Sequence, residues 1–325
     1  MSSPLKEIRK PINPEMQHFE AHFRNSMKSN IPLLNIITNY ILRRKGKQMR
    51  PMFVFLTAGL CGGITPSSYN AASLIELLHT ASLIHDDVVD ESYKRRGFFS
   101  INALWKSKVA VLMGDYLLAK GLLLSVKEKE FELLKIVSDA VREMSEGELM
   151  QIQKSRKLNI TKEEYFEIIR KKTATLIAAC TACGAWSASK NEDLTERFRL
   201  FGEKIGLAFQ IKDDLFDYQQ MGIIGKPTGN DIKEKKFTLP LIHALEVCPE
   251  KERKHIIRTI RRHNDNAGKV QEVVAFARQY EGLEYSESKM LKYRDEAIGI
   301  LTDMPNNQHK SSLLELVNYV VERKK

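Results

Sequence analysis

Cysteine is scarce in this sequence, at four in 325 residues, too few for a disulfide framework. That usage points to a reducing compartment, so a cytoplasmic protein is expected. Cys180 and Cys183 form a C-x-x-C, but no second pair completes a zinc site, and the Ala, Thr, Leu and Ile around them describe a packed helix face. His18 and His22 stand i, i+4 in a polar first helix without a third ligand nearby, which fits a solvated face. Residues 1–7 hold no apolar signal core. Long apolar runs are missing too. Residues 51–75 are uncharged but broken by Gly62, Gly63 and Pro66, and 173–189 are rich in small polar residues. Neither reads as a span of about 20 apolar residues, so the chain is expected to be soluble. No alternating run lies between hairpin turns, and no linker or sustained repeat is visible.

What the sequence does have is helical period. Apolar residues recur at three and four along most of the chain. A first amphipathic helix is expected from Glu15 to about Arg44, and a short apolar one after Pro51. A long helix runs to Asp90 after the turn and N-cap at Thr65-Pro66-Ser67-Ser68. Residues 91–100 read as a polar loop. Helices follow near 103–126 and 131–154, and Thr161 with Glu164 makes a capping box for the next, to Ser189. Residues 201–218 form another helix, the loop 222–236 follows, and shorter helices fill the rest. The economical reading is one all-α domain over 1–325. The charge balance, 51 basic against 41 acidic residues, gives +10, which suits nucleic acid, a membrane surface or phosphorylated substrates. Apart from 43–47 and 258–263 the basic residues are spread along helices, so nucleic acid is not expected.

The most specific stretch is His85-Asp86-Asp87-Val88-Val89-Asp90, at the end of the apolar run 71–84. On a helix Asp86 and Asp90 lie one turn apart on one face, with Asp87 turned by about 100°. Carboxylates stacked this way repel unless a cation lies between them, and hard oxygen ligands suit Mg²⁺. One such cluster fits a solvated helix end equally well. A second, Asp213-Asp214-Leu215-Phe216-Asp217, repeats the D-D-x-x-D spacing on another helical, mostly apolar stretch. Two copies suggest two carboxylate walls of one metal-filled site. Basic residues accompany them: Arg95 and Arg96 after the first, Lys226, Lys233, Lys235 and Lys236 after the second, and Lys47 and Arg50 at another helix–loop junction. Carboxylates hold Mg²⁺ while Arg and Lys hold phosphate oxygens, and both together describe a diphosphate bridged to protein by metal. Ala81 and Ser82, small residues one turn before Asp86, would leave a water-poor pocket below it.

From about Gly46 onward the chain resembles the trans-isoprenyl diphosphate synthases, or polyprenyl synthetases. Residues 79–92 with Arg95-Arg96-Gly97 look like that family's first aspartate-rich motif, and 209–217 like the second. Residues 225–231 and Thr238-Leu239-Pro240 match the loop after it. The resemblance implies a single-domain antiparallel helical bundle around a deep central cavity, usually a homodimer. It further implies condensation of isopentenyl diphosphate with an allylic diphosphate, farnesyl or similar, using three Mg²⁺ ions. Asp86, Asp90 and Asp213 would hold the metal, and Asp87, Asp214 and Asp217 would support it. Arg95, Lys172, Lys226 and Lys236 would grip the allylic diphosphate, and Lys47, Arg50, His79 and Arg96 the isopentenyl diphosphate. Thr173 and Gln210 would stabilise the developing cation. No protein general base is needed, because the departed diphosphate can take the proton.

Three positions depart from the family pattern: Lys45 replaces a Gly, Gln48 an Arg, and Lys235 a Gly before Lys236. They bear on local loop shape. A class I terpene cyclase would carry one D-D-x-x-D and a different second motif, and a non-catalytic subunit of a heteromeric synthase would have lost aspartates. Small Ala81 and Ser82 leave a tunnel open towards Leu77, Leu78 and the helix at 103–126. A medium- or long-chain product is therefore expected, octaprenyl first and geranylgeranyl second, with a farnesyl or geranylgeranyl synthase as the short-chain alternative. A quinone side chain is one destination for such a product, and its release would involve transient membrane contact.

Overall fold

The computed structural model describes residues 4–43, 46–95, 97–218 and 229–323, without the side chains of 156 and 157. Among them helices dominate: α1 (Pro4–Arg9), α2 (Asn13–Ser26), α3 (Pro32–Leu42), α4 (Met49–Cys61), α5 (Pro66–Val89), α6 (Ile101–Lys127), α7 (Phe131–Lys157), α8 (Lys162–Ile169), α9 (Thr175–Ser189), α10 (Glu192–Phe216), α11 (Asn230–Lys233), α12 (Leu239–Val247), α13 (Glu250–His263), α14 (Ala267–Gln279), α15 (Gly282–Ile300) and α16 (Gln308–Glu322). The fold is all-α. The only strands described are β1 (Lys94–Arg95) and β2 (Phe98–Phe99), paired antiparallel with Lys94 opposite Phe99 inside the expected polar loop.

The chain divides into two compact units. The first comprises Met1–Val141, Ala179–Arg199 and Asp303–Glu315, the second Arg142–Ala178, Leu200–Thr302 and Leu316–Lys325.

In the first unit α5 begins where the sequence places it. Pro66 fills the first helical turn, and Ser68 Oγ accepts the Thr65 N–H at 3.1 Å. Its partner is α6. Gly114 of α6 lies so close to His85 that a methyl group there would collide with the imidazole, and Gly121 lies against Leu74 and Leu78. These contacts define a stripe on α5 at 74, 78 and 85, and Ala81 falls on it by helical period. Ser82 is turned about 100° away, on the side of His79, whose carbonyl accepts its hydroxyl at 2.9 Å, and of Asp86. Each buried leucine in this seam contributes about 1.5–3 kcal/mol. By length and hydropathy α6 could also cross a membrane, although a third of its most apolar window is buried in the protein.

The expected single helix from Glu15 to Arg44 is two, α2 and α3. Apolar period continues through the break, but Pro32 starts a new helix there. The side chain of Asn35 closes the connection, accepting the Ser29 N–H at 3.1 Å and donating to the Ser29 carbonyl at 2.7 Å.

In the second unit the capping box at Thr161 is made in both directions, with Thr161 N–H to Glu164 Oε2 at 3.1 Å and Glu164 N–H to Thr161 Oγ1 at 3.3 Å. The helix it opens changes pitch at Arg170–Ala174, a π-helical turn between α8 and α9. Such turns occur mostly as single insertions, often at functional sites. A separate core packs Leu241, Leu245, Ile256, Ile260, Val273 and Phe276 from α12, α13 and α14.

Candidate active site

The first acidic motif closes α5. Asp90 caps the helix, its N–H on the Asp86 carbonyl at 2.8 Å, and Asp86 and Asp90 are both exposed. Asp87 faces inward, 4% exposed, and accepts the Arg95 Nε–H at 2.6 Å. The hairpin places that arginine, and the Ser92 N–H on the Asp87 carbonyl at 2.9 Å begins the turn towards it. Asp87 and Arg95, assigned above to metal support and diphosphate, are therefore bonded to each other here. Arg50 Nε stands 3.1 Å from Glu76 Oε1 on α5. Lys47 is exposed and His79 half-buried. Arg96 and Lys226 lie outside the described residues, as do Arg44 and Lys45.

The second motif belongs to the second unit. Asp213 Oδ1 accepts Arg323 Nη2 at 2.8 Å. That guanidinium also donates to the Phe209 carbonyl at 3.2 Å and lies 3.9 Å from the Phe209 ring centroid, a cation–π stack. Asp214 is 5% exposed. It accepts two neutral donors, Tyr165 OH at 2.6 Å and Gln210 Nε2 at 2.8 Å, while Thr173 Oγ1 donates to Gln210 Oε1 at 2.8 Å. Burial, then the charge of Asp231, pushes the Asp214 carboxyl up to about 7. Burial and Asp217 push Asp231 up to about 6. The helix ends at Phe216, so Asp217 lies past it, accepting the N–H groups of Asn230 and Asp231 at 3.0 Å each. An acid at the start of a helical turn satisfies otherwise orphaned donors, and Asp217 does so for α11.

Lys172 and Thr173 ride on the π-turn. Gly147 of α7 and Gly206 of α10 grip it, for a methyl at Gly147 would meet the Lys172 backbone nitrogen at 2.8 Å and one at Gly206 would strike Ala174. Lys172 Nζ reaches Glu148 Oε2 at 2.5 Å and Gln151 Oε1 at 3.0 Å. Lys236 Nζ reaches Glu234 Oε2 at 2.5 Å, and the Lys236 N–H bonds the Asp231 carbonyl at 2.8 Å. Lys235, where the family has Gly, takes φ 58°, a left-handed conformation that explains why glycine suits the position. A cavity of about 130 Å³ is lined by Tyr165, Lys172, Thr173, Gln210, Asp214 and Asp231, among others.

The structure thus brings Lys172, Thr173, Gln210, Asp214 and Lys236 to one cavity. Tyr165 and Arg323 were not anticipated. Their partners lie 49 and 110 residues away in sequence, and no local signal marks them. Asp231 was visible only as part of the loop that matches the family. Among the described residues, no three His, Cys, Asp or Glu side chains converge into a preassembled metal cage.

Comparison with known proteins agrees with this architecture. Octaprenyl diphosphate synthase of Escherichia coli is 32% identical over 98% of this chain and 99% of its own. A crystal structure of a Caulobacter crescentus polyprenyl synthase complexed with calcium and isoprenyl diphosphate superposes with a TM-score of 0.89, at 31% identity over 99% of this chain and 98% of that one. One of a Bacteroides thetaiotaomicron geranylgeranyl pyrophosphate synthase gives 0.83, at 36% over 98% and 99%. Residues 31–277 match the polyprenyl synthetase family, and with both aspartate motifs, the π-turn and the cavity in place, the chain belongs to that family of trans-prenyltransferases.

Proposed function

We propose that this prenyltransferase joins isopentenyl diphosphate to an allylic diphosphate such as farnesyl diphosphate and extends it to a medium- or long-chain all-trans polyprenyl diphosphate. The observation that carries the reading is the chain of hydrogen bonds from Tyr165 through Asp214 and Gln210 to Thr173, beside Lys172. Tyr165 and the Gln210 amide group both donate to Asp214, so Gln210 Oε1 is fixed in direction and holds the Thr173 hydroxyl. Two oxygen dipoles are thereby oriented before reaction, where an allylic cation would develop.

The residues fit Mg²⁺. Their donors are carboxylate oxygens, and Asp213 already accepts a cation, Arg323, at 2.8 Å. A metal that retains its waters and shares oxygens with a diphosphate needs one or two carboxylates, not a closed cage. We assign Asp86, Asp90 and Asp213 as ligands for three ions, with Asp87, Asp214 and Asp217 in support. When bound, Mg²⁺ supplies Lewis-acid neutralisation of the leaving diphosphate. Arg95, Lys172, Lys226 and Lys236 bind that diphosphate, Lys172 exchanging Glu148 for phosphate oxygen. Lys47, Arg50, His79 and Arg96 bind isopentenyl diphosphate. As the allylic C–O bond breaks, the double bond of isopentenyl diphosphate attacks the cation, and a proton passes to the departed diphosphate.

Octaprenyl diphosphate is the proposed product, with geranylgeranyl second. Support comes from the small side chains of Ala81 and Ser82 one turn before Asp86 and from the likeness to an octaprenyl diphosphate synthase, 32% identical over 98% of this chain. A homodimer in the cytoplasm is the proposed state, supported by the exposed Leu112, Leu122, Leu123 and Val126 of α6. The test is turnover by the purified chain alone, with chromatography of its products from farnesyl and isopentenyl diphosphates. Wild type should give a long-chain product, and Ala81→Phe with Ser82→Phe should shorten it to about geranylgeranyl length. A wild type that stops at geranylgeranyl diphosphate removes the long-chain reading, and one that turns nothing over is a non-catalytic subunit.

A further inference from the structure

The basic run at 258–263 takes no part in the proposed reaction, and the structure gives it a definite form. Helix α13 spends its apolar side on its own core, burying Ile256, Thr259 and Ile260. Lys251, Lys254, His255, Arg258, Arg261 and Arg262 follow one another at three and four residues and are all exposed, so they make one continuous stripe on the opposite side. Acids meet only its first half. Glu250 holds Lys254 at 2.6 Å, and Glu272 holds His255 at 2.6 Å. Arg258, Arg261 and Arg262 make no ion pair among the described residues. Arg258 and Arg262 are i, i+4 neighbours of like charge, an arrangement that weakens a helix, and only the helix C-terminus favours the last two arginines. The stripe is costly to the folded chain and complementary to an anionic plane.

We propose that this face of α13 docks the enzyme on anionic phospholipid bilayers. The apolar side of the helix is already buried, so the contact is electrostatic and peripheral, made by arginines at the headgroups and without insertion. The choice of lipid over nucleic acid rests on the long-chain reading above, because a polyprenyl diphosphate has a tail that belongs in a bilayer and a headgroup that stays in water.

The experiment needs no turnover. Full-length protein is sedimented with vesicles of phosphatidylcholine alone and of phosphatidylcholine with phosphatidylglycerol, at low and high salt. Wild type should bind the anionic vesicles only and release at high salt. The triple variant Arg258→Gln, Arg261→Gln, Arg262→Gln should bind about a hundredfold more weakly, while its helical circular dichroism and its turnover of soluble substrates stay as in wild type. Lysine at the same three positions should restore binding. Wild type that ignores anionic vesicles, or a glutamine variant that binds like wild type, overturns the proposal. So does tighter binding of an oligonucleotide than of anionic vesicles at equal salt. Product length is read separately by chromatography, so a short product with intact vesicle binding would remove the long-chain reading and leave the docking face.

Discussion

The two D-D-x-x-D motifs share a spacing and differ in every support. In both, the second aspartate turns inward, Asp87 at 4% and Asp214 at 5% exposure. Asp87 meets a full positive charge, Arg95, whereas Asp214 meets a phenol and an amide. The first aspartate is exposed at Asp86, while Asp213 is held by a guanidinium from near the C-terminus. The third caps its own helix at Asp90 but serves the next one at Asp217. The spacing therefore specifies which carboxylates are displayed and which is buried, and leaves the chemistry of the support open. At Asp214 burial and the charge of Asp231 push the carboxyl up to about 7, against the pull of its two hydrogen-bond donors.

The largest effect should come from what the motifs have in common. Asp86→Ala and Asp213→Ala should each lower kcat by about a thousandfold or more, if each anchors metal in the transition state. Circular dichroism should remain helical. Activity that persists in EDTA would take the metal away from both motifs.

The buried aspartates should separate next. Asp87→Asn leaves Arg95 without its counter-charge and should cost about 1–2 kcal/mol, less than a fully buried pair because Arg95 is partly exposed. Asp214→Asn keeps partners for Tyr165 and Gln210 and should change the pH dependence instead. The folded Asp214 carboxyl is raised from 3.8 to about 7, so its ionisation opposes folding. Its contribution is full below the unfolded value and is lost as pH rises through about 7. In metal-free protein, moving from about pH 5 to about pH 8 should therefore favour Asp214→Asn over wild type by on the order of 2 kcal/mol. Melting curves with equal pH slopes for both proteins would place the titration elsewhere.

The smallest effect concerns the two leading aspartates. Arg323→Ala removes the cation that holds Asp213, so half-maximal activity should need roughly three- to tenfold less Mg²⁺. Arg323→Lys should stay close to wild type. An unchanged metal requirement in the alanine variant would mean that Arg323 does not compete for that carboxylate.

Much of this was legible in the chain. Helical period located α5, α6 and α7 within a few residues and the end of α10, although α10 begins nine residues before the expected Phe201, and Thr161 with Glu164 announced the start of α8, because these signals are local. The break before α3 was not legible, since apolar spacing runs through it and only Pro32 marks the new start. Nor were the hydrogen-bond partners of the motifs. Tyr165 and Arg323 reach Asp214 and Asp213 through tertiary packing, which no window of sequence contains. The acidic spacing marked which carboxylates to look at, and packing decided how each is held.

The π-turn at Arg170–Ala174 has a consequence for how this site tolerates change in length. Helical π geometry accommodates one extra residue within an otherwise α-helical run, so removing one residue from that turn would restore regular pitch and rotate Lys172 and Thr173 by about 100° relative to the helix that follows. Gly147 and Gly206 press on the turn from α7 and α10 and leave little room for the backbone to shift. A surface loop could absorb a single-codon deletion, but here it would move Lys172 and Thr173 off their cavity together. At this point the register of the cavity lining is counted in residues, and the count cannot drift by one.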